Sequence, residues 1–195
     1  MSKPLPMLPH MPWNVKKLIV DSSTTTTKRL LLSVMKNYFT SLNRQVAVEA
    51  FQMSINDTEM DILDILPYLK PETLKSLVFS NANDYQGPIE KIDLSLVAET
   101  KQWKAAKHLT VERYKFELPI EKWSHFTEVK VLIPDLTVPM TQDILKVFAR
   151  SAHWKKATLL YKSDISQELI ARFADVPENV TVTISDSEVQ FEKTG

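Results

Sequence analysis

The chain has 195 residues, 24 basic and 24 acidic side chains and a 44% hydrophobic share, enough apolar surface for one domain or one short solenoid. It holds no cysteine and only two glycines, Gly87 and Gly195, which excludes disulfides, thiolate metal sites, cysteine nucleophiles and glycine-rich phosphate loops. Balanced charge argues against a broad phosphate-binding field, and no apolar run approaches the ~20 residues that cross a bilayer.

Residues 1–13 form a Pro-rich segment in which Pro4, Pro6, Pro9 and Pro12 interrupt any secretory apolar core. A cytoplasmic or nuclear location is therefore expected, with no membrane partner. Residues 14–195 read as a single α/β domain. From Val15 onward, seven short runs place apolar residues at positions one, four and six, and helix-like segments separate them. The runs are Val15/Leu18/Val20, Val48/Phe51/Met53, Leu74/Leu77/Phe79, Ala106/Leu109/Val111, Phe126/Val129/Val131, Trp154/Ala157/Leu159 and Pro177/Val180/Val182. Their central residues lie 20 to 33 positions apart. That spacing is looser than a regular leucine-rich repeat and lacks its asparagine ladder, yet each unit would still bury one face against its neighbours.

Between the runs, Lys28 to Leu42 is expected to be a helix with Leu31, Val34, Met35, Tyr38 and Leu42 inward, capped from the Thr24–Thr27 run. Thr58 to Leu66 reads as a second helix with Met60, Leu63 and alternatively Ile62 or Leu66 inward, ended by Pro67 and Pro71. Residues 81–88 form a loop and Ile89 to Trp103 a further helix candidate. Pro119 and Pro139 stand where first-turn prolines belong, ahead of Ile120–His125 and Met140–Ala152. Asp164 to Gln167 resembles a capping box for a helix to about Phe173. Runs 180–185 and 188–192 predict a closing hairpin. The expected fold is an irregular, leucine-rich-repeat-like α/β stack with a mostly parallel sheet and a C-terminal antiparallel hairpin.

Catalytic and metal signals are weak. Asp57, Glu59, Asp61 and Asp64 fail the calcium-loop pattern, since Ile62 and Tyr68 occupy the required glycine and glutamate positions, and helix N-terminal capping is the better reading. Ser33-Val-Met-Lys36 and Lys193-Thr-Gly195 match two β-lactamase elements, but the third is missing and the second is the final tripeptide. His10, His108, His125 and His153 share no ligand spacing; His125 and His153 adjoin aromatic residues and read as capping or packing. Trp13, Trp103, Trp123 and Trp154 fall at helix–strand junctions, where core packing is expected. No cofactor, metal or catalytic residue is expected, and an enzyme would need distant titratable groups to meet in one pocket.

The strand pattern yields a sharper site. If the repeated apolar residues face the helices, those between them face the other side of the sheet. That side would carry Lys17, Ile19 and Asp21, then Gln52 and Ser54, then Ser76, Val78 and Ser80. It continues with His108, Thr110 and Glu112, with Glu128, Lys130 and Leu132, with Lys156, Thr158 and Leu160, and with Thr181 and Thr183. This small, charged set reads either as a partner-binding face or as a merely solvated one. A second reading is an RNA-associated role, direct or through an RNA-binding protein, on Lys101, Lys104, Lys107, Arg113 and Lys115, with Trp103 and Tyr114 as stacking platforms.

The run Ile62-Leu-Asp-Ile-Leu-Pro-Tyr-Leu-Lys-Pro-Glu-Thr-Leu74 resembles the ILPYLKPGTL signature of the FTH domain, found in many nematode proteins and commonly behind an F-box. Gln102-Trp-Lys-Ala-Ala-Lys-His-Leu109 resembles its QWKxAKxL element. Ile120–Val131, with His125-Phe126, and Thr141–Leu159 resemble the later units, so the likeness covers about residues 28–175. Glu72 stands where the signature has glycine; if that site needs positive φ, the turn must be reshaped. The resemblance implies a protein-interaction module, in relatives usually the substrate-binding part of a ubiquitin-ligase adaptor. Because Met7 to Val20 passes directly toward the first strand without F-box helices, a Skp1-type subunit is not expected to bind this chain.

Overall fold

The computed structural model describes residues 14–21, 25–55, 59–81, 89–162, 171 and 176–194. The strands are β1 (Asn14–Val20), β2 (Ala47–Ile55), β3 (Ser76–Asn81), β4 (Glu90–Lys91), β5 (His108–Lys115), β6 (Glu128–Leu132), β7 (Lys156–Leu160), β8 (Val180–Ile184) and β9 (Glu188–Lys193). Among the described residues the helices that alternate with them are α1 (Thr25–Ser41), α2 (Met60–Leu63), α3 (Lys101–Ala105) and α4 (Val138–Arg150). Short 3-10 turns occupy Leu66–Tyr68, Val97–Glu99 and Ile120–Lys122.

These strands form one sheet in the order β1-β2-β3-β5-β6-β7-β9-β8, with β4 beside the far end of β5. From β1 to β7 every pairing is parallel, and the chain closes with an antiparallel hairpin. The hairpin enters in reverse: β9, the last strand, lies against β7 and leaves β8 at the edge.

The register explains the one-four-six pattern of the first six runs; the seventh departs from it, because β9 intervenes and Val182 rather than Val180 opposes Phe191. Leu18, Phe51, Leu77, Leu109, Val129, Ala157 and Phe191 stand in one row across the sheet. Val20, Met53, Phe79, Val111, Val131, Leu159 and Val189 form the next, fully buried row. Leu74, Ala106, Phe126 and Trp154 are buried two residues before their strands. Their odd spacing from position four reflects a bend at the intervening residue. There the Lys75 carbonyl accepts from Lys107 N (2.8 Å) and His108 N (2.9 Å), and the Lys107 carbonyl from Thr127 N (2.7 Å) and Glu128 N (3.1 Å). The Thr127 carbonyl repeats this with Lys155 and Lys156. Backbone groups thus fix the register that an asparagine ladder would otherwise hold.

The core lies between this sheet face and the helices. Trp103, Trp123 and Trp154 are buried in it, as expected, and join successive units through near-perpendicular ring contacts: Trp103–Phe126 at 5.1 Å, Trp123–Trp154 at 5.1 Å and Phe148–Trp154 at 5.2 Å. Trp13 lies outside the described residues. The Glu72 turn needs no left-handed residue: among the described non-glycine residues, positive φ occurs at Asn43 and Arg113. Thr73 N bonds back to the Lys70 carbonyl and Leu74 N to that of Pro71, so glutamate fits.

Several helix expectations are corrected. Met35 and, just after α1, Leu42 turn inward as expected, but the other inward residues are Lys28, Leu32 and Phe39, while Leu31, Val34 and Tyr38 are exposed. Met60 is also exposed while Ile62 and Leu66 are buried, and α2 ends at Leu63, before the 3-10 turn that holds Pro67. Glu59 makes no side-chain cap at α2; Asp61 and Asp64 instead pair with Lys28 (2.8 Å) and Lys36 (2.6 Å) of α1. The segment 89–103 is not one helix. It holds β4 and a 3-10 turn before α3, interrupted where the Asp93 carboxylate accepts from Ser95 N (2.9 Å). Likewise Ile120–His125 provides only the 3-10 turn at Ile120–Lys122. Pro139 does lie in the first turn of α4, which Thr137 caps from its side chain. The Thr24 end of the capping run, loop residues 82–88, and residues 163–170 and 172–175 of the Asp164–Phe173 segment lie outside the described residues.

One ion pair knot gives a pH test. Glu99 accepts from Lys104 (3.0 Å) and from Lys122, tying α3 to the turn after β5. These two ammonium groups pull its carboxyl down from 4.5 to about 2. A depressed folded-state value means the contribution is present above pH 4.5 and is lost as pH falls toward 2. We expect the urea midpoint gap between wild type and Glu99→Gln to close over that window; a gap independent of pH would contradict the linkage.

Candidate protein-interaction face

On the sheet face away from the helices, the alternation of each strand brings the expected residues into aligned rows. One row runs Lys17, Ala50, Ser76, His108, Glu128, Lys156, Glu192 and Thr181. The next runs Ile19, Gln52, Val78, Thr110, Lys130, Thr158, Gln190 and Thr183. A third links Ser54, Ser80 and Glu112 on one side and Leu132, Leu160 and Glu188 on the other. Thus the strand-face residues read from the pattern, Asp21 aside, share one surface. Asp21 follows β1 and is exposed. Ser54, Thr158 and Leu132 lie on this surface but are almost covered by neighbours, each 7–8% exposed. Gln190, Glu192 and Glu188 belong to the same face and escaped the sequence reading, because β9 pairs with β7 out of sequence order.

Opposite charges interlock across the strands. Lys130 Nζ donates to Glu112 at 3.0 Å, and His108 Nδ1 lies 3.4 Å from the Glu128 carboxylate. Register neighbours Glu128 and Lys156, and then Lys156 and Glu192, continue the alternation. The paired side chains are 42–52% exposed, so each pair is worth only about 0–1 kcal/mol to the fold. Ile19, Val78 and Leu160 interrupt the charges with accessible aliphatic surface. The face thus alternates exposed charge with isolated accessible aliphatic side chains.

The ladder breaks once. Between Val111 and Lys115 the register with β6 shifts, and Arg113 takes φ 65°. A left-handed non-glycine residue costs about 1–3 kcal/mol and needs support from its surroundings. Here Tyr114 turns inward, where its hydroxyl donates to the Ile55 carbonyl. Burial of Tyr114 and of Trp103, whose Nε1 donates to the Lys122 carbonyl at 2.7 Å, removes both proposed nucleobase-stacking platforms. Lys104 is engaged by Glu99, and Lys115 by Glu117 and Asp135; Lys101 and Lys107 are exposed on α3 and just before β5. The basic stretch is therefore spread along α3 and both ends of β5.

Among the remaining candidates, His125 is half-buried, contacts the Trp103 carbonyl at 3.0 Å and packs on Phe126; burial pushes its pKa down. His153 is exposed rather than packed. Among the described residues no group of three His, Asp or Glu is placed to hold a metal ion, and no helix is long and apolar enough to cross a membrane.

Comparison with known proteins matches the model described as "FTH domain" to residues 29–176. A curated relative, "F-box A protein 224" of Caenorhabditis elegans, is 33% identical over 94 residues, covering 48% of this chain and 22% of the relative. The chain thus spans about a fifth of that relative's length. No solved structure matches it. The residues that carry the likeness are structural: buried Gln102 donates to the Leu69 carbonyl (2.8 Å), joining the QWKAAKHL element to the ILPYL run.

Proposed function

This chain belongs to the FTH-domain family, and on that footing we propose that it is a non-catalytic protein–protein interaction module whose strand face receives the partner. The observation that carries this reading is the aligned face itself, in which exposed charges and aliphatic anchors alternate over rows that cross the whole sheet. The charges contribute little to stability, so their arrangement is free to serve recognition. The likeness to an F-box A protein supports a finer reading, in which the module recruits a partner or substrate to an F-box-type ubiquitin-ligase adaptor.

The test is affinity capture from nematode extract with wild type and the triple variant Glu128→Lys, Lys130→Glu, Lys156→Glu. Positions 128 and 156 stay complementary after exchange, while position 130 then opposes Glu112, position 156 opposes Glu192 and His108 loses its carboxylate, so the fold should lose no more than about 2–3 kcal/mol. A protein held by wild type and released by the variant, with unchanged circular dichroism, is the expected result. Equal retention by both refutes the strand face as the binding surface.

A further inference from the structure

The two ends of the sheet are not alike. Among the described residues β1 pairs with β2 alone, and this end carries the exposed lysines Lys16 and Lys17. At the other end β8 pairs with β9 alone, and Val180-Thr-Val-Thr-Ile184 is β-branched at every position, with no charge and no proline. The nearest charges along the chain, Glu178 and Asp186, fall in the turns that bound the strand. Lysine on an edge strand keeps other strands away, and β8 has no such guard.

The hairpin register fixes which backbone groups of β8 point outward. Ser185 N–H donates to the Glu188 carbonyl (2.8 Å) and Thr194 N–H to the Asn179 carbonyl (3.1 Å), so Asn179, Thr181, Thr183 and Ser185 bond toward β9. Val180, Val182 and Ile184 therefore face the open edge. The Val180 N–H is taken by the Pro177 carbonyl at 2.9 Å. Among the described residues the N–H groups of Val182 and Ile184, and the carbonyls of all three, have no partner.

These groups match those of a second copy of the chain. In an antiparallel pair centred on Val182, the two Val182 residues exchange N–H and C=O, and each Ile184 N–H meets the other copy's Val180 carbonyl. Side chains then meet in kind: Val182 on its counterpart, Val180 on Ile184, Thr181 on Thr183. Such an isologous pairing uses both open edges at once and closes, with lysine-bearing β1 at each outer end of the joined sheet. Pairing β8 on β1 would instead leave an open edge and meet Lys16 and Lys17. We propose that β8 is a homodimer seam that joins two copies into one continuous sheet. Its two-fold axis stands perpendicular to the sheet, so the two strand faces lie side by side and a partner with two matching segments gains from both. The seam rests on β8 alone and stands whether or not the strand face binds that partner.

The test is sedimentation equilibrium of the full chain. So short a seam is weak, and monomer and dimer should coexist below roughly 1 mM. Thr181→Lys with Thr183→Lys opposes like charges across the seam and should weaken association at least about tenfold, with the circular dichroism of dilute protein unchanged. The strand-face triple variant should associate as wild type does. Because the chain has no cysteine, mixed Thr181→Cys and Thr183→Cys chains should yield a mixed disulfide dimer on mild oxidation, and Lys17→Cys chains should not. Should the lysines disturb the fold, the disulfide decides. The proposal is overturned by a monomer at every concentration up to roughly 1 mM, by association that the lysine pair leaves intact, by growth past the dimer, or by failure of the mixed disulfide.

Discussion

Trp154→Ala should lower stability by about 3–5 kcal/mol, the usual cost of deleting a buried tryptophan. Trp154 is fully buried, lies edge-on to Trp123 and Phe148, and donates Nε1–H to the Lys156 carbonyl at 3.2 Å. Phe148 in turn packs on Phe191 of the closing hairpin at 5.9 Å. The indole therefore connects the turn after β5, helix α4 and the last strand, and its loss opens a cavity shared by three elements. Domains of this kind hold only about 5–15 kcal/mol in total. At roughly 2–4 °C per kcal/mol, the melting temperature should fall by about 6–20 °C. Trp154→Phe keeps an edge-on ring and should cost clearly less. Urea denaturation checks both, and an alanine variant within about 1 kcal/mol of wild type would contradict the packing account.

The second large effect lies under α1. The Lys28 side chain is 1% exposed and its ammonium lies 2.8 Å from the Asp61 carboxylate, itself 19% exposed. That contact is held by charge: Lys28 Nζ has no aligned hydrogen-bond acceptor among the described residues. Removing Asp61 strands a buried cation, which costs about 3–5 kcal/mol where both charges are fully enclosed. Partial exposure of Asp61 places Asp61→Ala at the lower end of that range. Lys28→Met fills the same volume without charge and should be neutral or stabilising. In the double variant Lys28→Met, Asp61→Ala most of the cost should vanish. Additive losses in that cycle would show that the pair is not coupled.

Lys28 also shows where sequence reasoning reached its limit. Leu30, Leu31 and Leu32 follow one another, as do Tyr38 and Phe39, so two apolar stripes one residue apart compete on α1. One residue is about 100° of helix rotation, and hydrophobicity alone favours the stripe that avoids a lysine. Tertiary pairing with Asp61 reverses that choice. The sheet was more legible, since period-two alternation and the buried residue before each bend survive irregular spacing. The expected face followed from parity, but its coverage did not. Ser54 and Thr158 are closed over by neighbours on adjacent strands, which no single strand encodes. The same holds for Glu188, Gln190 and Glu192, placed on the face by a hairpin whose order of entry is not written in its spacing. The two stacking residues of the basic stretch were misplaced because closeness in sequence is not closeness on a surface: Trp103 and Tyr114 point into the core.

The claim that a protein partner sits on the strand face is tested most directly by contact mapping. A photo-crosslinking residue at Thr110, in the middle row of that face, can be compared with one at Asn37 on the exposed side of α1. A partner seated on the strand face crosslinks from position 110 and not from 37. Crosslinks from 37 with none from 110 would contradict it.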